Sequence, residues 1–164
     1  MTQLPDRRKS IGGSDIAAIL GLSPWRTPVD VWLEKTSEEP IPEKEGIQLR
    51  FGHFAEEFVA QEYSRKTGRR VQKHNKVLIH PEYPYLTGNV DRLVIPQGAK
   101  IAAHHGKIRT DRLLECKTAS AFMAGSWGES GTDEIPLYYM AQIHWYMMLT
   151  GCMWADVAVL IGNS

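Results

Sequence analysis

The sequence predicts an α/β or α+β fold in which a sheet is flanked by helices. Three observations carry this expectation. The hydrophobic period is helical up to about residue 67 and strand-like from Val71, an apolar helical stretch starts at Pro136, and a β-branched, alanine-rich run follows it. With 164 residues the chain suits one compact domain with a real core. Its 43% hydrophobic and 23% charged residues are the ordinary balance of a globular protein.

Each element follows in order. A first helix is expected from about Ser14 to Leu20, with Ser14 as N-cap and Gly21 as the stop. Thr27 before Pro28 opens a second helix, with Asp30 in its first turn. The stretch from Ser37 to Gly46, carrying Pro40 and Pro42, reads as a surface loop. A long helix runs from about Ile47 to Thr67 and closes at Gly68. Val71 to Ile79 and Tyr85 to Ile95 read as strands around Pro81 and Pro84. Residues 96–111, with Gly98, His104, His105 and Gly106, look like a hairpin excursion, and Arg112 to Thr118 is a further strand. The helix from Pro136 to near Gly151 is apolar nearly all round and so is expected to be buried. Met153 to Ile161 reads as a buried strand. A buried strand so close to Ser164 leads us to expect a single domain over 1–164, lacking a short C-terminal segment of the natural protein.

Bulk chemistry removes several function classes. No apolar run approaches the ~20 residues of a membrane span, and MTQLPDRRKS lacks the apolar stretch of a secretory signal, so a cytoplasmic location is expected. Cys116 and Cys152 are too few for a four-cysteine zinc or iron–sulfur site and are expected as buried thiols. Nineteen basic against nineteen acidic residues argue against tight non-specific nucleic-acid binding. They leave room for a nucleic-acid enzyme whose acidic metal site offsets basic patches. The histidines form no H-E-x-x-H array, and no P-loop or nucleophile elbow is present.

The chemistry concentrates on Leu113-Leu114-Glu115-Cys116-Lys117-Thr118. Side chains alternate along a strand, so Glu115 and Lys117 share one face while Leu114 and Cys116 take the other. By itself this reads equally as a half-exposed strand with a surface ion pair. Asp91 adds weight, because aspartate is disfavoured in strands unless something holds it there; a turn aspartate after Gly88 and Asn89 is the alternative. An Asp on one strand and E-x-K on its neighbour can converge on one divalent cation, with the lysine beside the attacking water. On the long helix, Glu56 shares a stripe with Gly52, Val59 and Tyr63, whereas Glu57 lies with His53, Gln61 and Ser64. Glu56 is therefore the candidate and Glu57 the solvated acid. Ile11-Gly12-Gly13-Ser14-Asp15, preceded by Arg7, forms either an anion site at a helix start or a plain N-cap. Gln142, a lone amide on the apolar helix, needs a partner, either backbone or substrate.

These residues together resemble the lambda exonuclease-like, YqaJ-type viral recombinase family of the PD-(D/E)xK nuclease superfamily. The resemblance covers nearly the whole chain. It rests on R-x-x-x-I-G-G-S-D at Arg7 to Asp15, L-G-L-S-P-W at Leu20 to Trp25 and G-x-x-x-E at Gly52 to Glu56. It continues through Asp91, L-E-C-K at Leu114 to Lys117 and Y-M-A-Q at Tyr139 to Gln142. It implies a restriction-endonuclease-like central mixed β-sheet flanked by helices. It also implies a Mg²⁺-dependent exonuclease, with Mn²⁺ a plausible substitute, that degrades duplex DNA from a 5′ end and passes single strands to an annealing recombinase. By similarity Asp91, Glu115 and the Cys116 carbonyl would bind metal, Glu56 would hold a second ion, and Lys117 would act on the attacking water. Arg7, Ser14, Asn89 and Gln142 match a 5′-phosphate pocket, and a trimeric ring around DNA would reconcile activity with zero net charge. The chain departs from the pattern at Arg92, where the family often has Gly, and at Asn89, where it often has Ser. The alternatives are an endonuclease on the same scaffold, or a DNA-end-binding module without catalysis.

Overall fold

The computed structural model describes residues 7–38 and 46–162. A 3₁₀ turn at Arg7–Lys9 leads to α1 (Gly13–Ile19), α2 (Pro28–Thr36) and α3 (Ile47–Thr67). Then come β1 (Val71–Lys73), β2 (Leu78–Ile79), β3 (Thr87–Gly88), β4 (Arg92–Val94), β5 (Ala103–His104), β6 (Lys107–Ile108) and β7 (Arg112–Ala119). A 3₁₀ turn at Ala121–Ser126, α4 (Leu137–Thr150) and β8 (Trp154–Ile161) follow. This is the mixed α/β class expected from the sequence, and it resolves into two compact units. The expected loop with Pro40 and Pro42 lies largely outside the described residues, as do Asn163 and Ser164.

One unit comprises residues 44–74, 90–135 and 151–164. It holds a four-stranded sheet in the order β1-β4-β7-β8, antiparallel except for the β7–β8 pair. The apolar face of α3 covers this sheet. Val59, Ala60 and Tyr63 from the helix pack with Val94, Leu114 and Cys116, and half-buried Val71, Ala158 and Leu160 close around them. Helix α3 stops where expected, at Gly68, whose φ of 70° is the left-handed C-cap that glycine tolerates best. Beneath it Tyr63 Oη donates to Asp156 Oδ2 at 2.5 Å, and Arg112 and Arg69 reach the same carboxylate at 2.6 and 2.9 Å. The hairpin excursion is present as β5–β6, turning at His105 and Gly106, both at positive φ.

The other unit comprises residues 1–43, 75–89 and 136–150. Helices α1 and α4 pack together, α4 also meets the β2–β3 hairpin, and the Trp145 indole donates to the Thr87 carbonyl at 2.8 Å. Thr27 caps α2 as expected, with Asp30 returning to the Thr27 amide at 2.7 Å.

Several expectations need correction. The N-cap of α1 is Gly12, not Ser14, because the Asp15 carboxylate turns back to accept from the Gly12 amide at 3.0 Å. Each long strand is broken in two. The run 71–79 divides into β1 and β2, and 85–95 into β3 and β4, because β2–β3 form a separate hairpin while β1 and β4 join the main sheet. Helix α4 buries only Ile143 and Tyr146; Leu137 is 66% and Met148 48% exposed. Strand β8 is half-buried rather than buried, since it ends the strand order among the described residues.

Candidate active site

Strand β7 supplies the centre of the site. Leu114 and Cys116 enter the core against α3, and the intervening Glu115 and Lys117 meet as an ion pair, Lys117 Nζ to Glu115 Oε1 at 2.7 Å. Antiparallel pairing sets Arg92 opposite Leu114, so the preceding Asp91 arrives beside the middle of β7. There the Cys116 amide donates to Asp91 Oδ2 at 2.8 Å. Asp91 lies at the bend that enters β4, and the main-chain N–H fixes its carboxylate there.

Burial drives the electrostatics. Glu115 is 2% exposed, and burial pushes its carboxyl up to about 7, with Asp91 and Glu56 adding to the push and Lys117 opposing it. Burial also raises Asp91, opposed by the Cys116 amide and Lys117. Burial lifts the Cys116 thiol to about 12, so it is an inert buried thiol; neither it nor Cys152 forms a disulfide.

Helix α3 brings Glu56 and Glu57 to one side chain that the sequence reading did not assign a role. Arg92 is 3% exposed. Its Nη1 donates to Glu56 Oε1 and, at 2.7 Å, to the Asp91 carbonyl, while Nη2 reaches Glu57 Oε2 at 2.7 Å. Lys73 Nζ lies 3.9 Å from Glu56 Oε1. The helix phase holds, with Glu56 half-buried and Glu57 exposed, yet Glu57 is also engaged by Arg92.

Among the described residues, no group of three or more His, Cys, Asp or Glu side chains is drawn together as a ready-made metal cage. Each acid is turned instead to a cationic or main-chain partner. What fits a cation is Glu115, whose Oε2 is buried with no hydrogen-bond partner. A carboxylate oxygen in that condition calls for positive charge. Asp91 beside it makes an oxygen-rich donor set of the kind hard divalent ions take. Glu56 does not fit in the same way, because Arg92 already occupies it.

The residues expected for the phosphate pocket lie in the other unit. The Tyr146 ring is buried between two glycine positions. A Cβ on Gly13 would lie 2.5 Å from Tyr146 Cε1, and one on Gly88 would lie 2.8 Å from Leu149 and 3.1 Å from the same ring. Gln142 Nε2 donates to Tyr146 Oη at 2.8 Å. One tyrosine therefore gathers Gln142, Gly13 of α1 and Gly88 of β3, and the next residues along the chain from the two glycines, Ser14 and Asn89, are exposed. Arg7 has an exposed side chain and is tied to α2, its carbonyl accepting from Lys35 Nζ at 2.7 Å. The helix start is less open than an anion site requires, since Asp15 has taken the Gly12 amide. Burial pushes the Asp15 carboxyl up, but the Gly12 amide, Lys35 and Arg26 outweigh it and hold it below the usual range.

Sequence reasoning missed Arg92 and Tyr146. The signal for the first was a cation directly after Asp91 in an apolar strand. For the second it was the i,i+4 spacing from Gln142.

A mixed sheet in which β7 and the bend entering β4 bring together a glutamate, a lysine and an aspartate defines an α/β protein with a carboxylate–lysine centre. Residues 4–153 match the YqaJ-like viral recombinase domain, and the chain belongs to that family. It is 37% identical over 163 residues to the uncharacterized protein YqaJ of Bacillus subtilis strain 168, covering 98% of this chain and 46% of that protein. The chain thus spans about half the length of that relative. Among solved structures it is similar to an alkaline exonuclease from Laribacter hongkongensis, with a TM-score of 0.61 at 16% identity over 96% of this chain and 72% of that one. The complex of LHK-Exo with dAMP gives the same TM-score at 15% identity, over 93% and 70% of the chains. At such identities the shared property is the fold.

Proposed function

We propose that this chain is a Mg²⁺-dependent deoxyribonuclease that degrades duplex DNA from a 5′ end and yields single strands for recombination. The observation that carries this reading is Glu115, buried with one oxygen on Lys117 and the other lacking a donor, beside an Asp91 fixed by the Cys116 amide.

Asp91, Glu115 and the Cys116 carbonyl would hold Mg²⁺, or Mn²⁺ in its place. The bound cation would supply Lewis-acid polarisation of the scissile phosphate. Lys117, paired with Glu115, would orient the attacking water and offset charge developing on the phosphate oxygens. Arg92 holds Glu56 and Glu57 in place on the helix side. Ser14, Asn89 and Gln142, with Arg7 from the neighbouring turn, would receive a terminal 5′-phosphate through hydroxyl, amide and guanidinium donors.

The wider assignments belong to the same proposal. The products would pass to a single-strand annealing recombinase in the cytoplasm. A homotrimeric ring would keep DNA engaged despite a net charge of zero. No helix among the described residues is long and apolar enough to cross a membrane.

The test uses linear duplex carrying 5′-phosphates, the same duplex without them, and closed circular DNA. With Mg²⁺ the phosphorylated linear DNA should be degraded, the unphosphorylated form more slowly, and the circle not at all. EDTA should stop the reaction. Cutting of the circle would favour an endonuclease, and end binding without hydrolysis would favour a non-catalytic module.

A further inference from the structure

We propose that Arg92 takes the place of a second divalent ion at Glu56, leaving one metal position per chain, at Asp91 and Glu115. This rests on the nuclease reading above but reaches beyond it, because the resemblance assigns Glu56 to a second ion.

The Arg92 guanidinium is buried and meets three oxygens at once: Glu56 Oε1 and the Asp91 carbonyl through Nη1, and Glu57 Oε2 through Nη2. A guanidinium stays charged at any working pH, and its planar fork suits carboxylates held on one helix turn. Glu56 could ligate an ion only by releasing Arg92, which would strand a buried cation without its acid. Lys73, 3.9 Å from the same oxygen, adds a second positive side chain that repels an incoming ion. Charge balance points the same way. Glu56, Glu57, Asp91 and Glu115 face Arg92, Lys73 and Lys117, leaving a single negative excess that one divalent cation already reverses. Glu115 Oε2 remains as the buried oxygen without a hydrogen-bond partner, so the cation demand lies on the Asp91 side. Glu56 is then a positioning residue that orders Arg92, and Arg92 is a fixed positive charge in place of an exchangeable ion.

The test is Mn²⁺ titration of the full chain without DNA, read by calorimetry and by the paramagnetic resonance of free Mn²⁺. One ion per chain is expected in the wild type and in Glu56→Gln, and loss of that ion in Asp91→Asn. Arg92→Lys should keep the count at one, and Arg92→Ala should raise it to two by freeing Glu56. Two ions in the wild type, one of them lost in Glu56→Gln, would overturn the proposal while leaving the nuclease reading intact. A folded Arg92→Ala chain that still binds one ion would overturn the replacement role. No Mn²⁺ binding at all would overturn this inference and the metal-dependent function together. Should Arg92→Ala fail to fold, the wild-type and Glu56→Gln counts decide.

Discussion

Glu115 is held by a lysine on one oxygen and by nothing on the other, and two consequences follow from its burial. The first concerns pH. Folding raises its pKa from 4.5 to about 7, so the folded state binds the proton more tightly than the unfolded chain. Stability from this group is therefore full below the unfolded value and is lost as pH rises through about 7. Thermal melts in EDTA should show that fall, and Glu115→Gln should flatten it. An unchanged slope in the variant would place the effect elsewhere. The second concerns Lys117. Lys117→Ala should slow cleavage by at least about 100-fold, the scale for removing one electrostatic donor from a reacting phosphate. Mn²⁺ affinity should hold nearly constant, and its collapse would show the lysine to be structural. At this scale Glu115 and Lys117 were legible from strand alternation and Glu56 from helical phase. Arg92 was not, because its worth comes from partners 35 and 36 positions away on another element.

At the scale of elements, the sequence marked where helices stop better than where strands pair. Gly68 ends α3 as read, yet the two long strands each divide, because pairing partners are chosen by tertiary structure and period alone cannot name them. Gly13 is a further case. Its pattern suggested either an anion site or a plain N-cap, and the contact that requires glycine is the Tyr146 ring, which a Cβ would meet at 2.5 Å. Gly13→Ala should therefore destabilise the chain by about 1–3 kcal/mol in chemical denaturation, from overpacking. Full stability would mean the ring moves aside freely. On the sheet side, Tyr63→Phe removes the hydroxyl that pins α3 to Asp156 of β8. A loss of about 1.5–3 kcal/mol is expected for a hydrogen bond to a charged acceptor, seen in the same denaturation experiment.

For the molecule as a whole, the proposed cation would act on stability by mass action. An ion that binds only the native state adds stability with its concentration. Mg²⁺ should accordingly raise the melting temperature of the wild type and not that of Asp91→Asn; equal shifts in both would locate the ion away from Asp91. The proposed cleaving residues, Asp91, Glu115 and Lys117, lie in one unit together with the positioning Glu56, and Arg7, Ser14, Asn89 and Gln142 all lie in the other. Both units are woven from three stretches of chain apiece, alternating from one end to the other. No single cut or truncation can therefore release either as a finished piece.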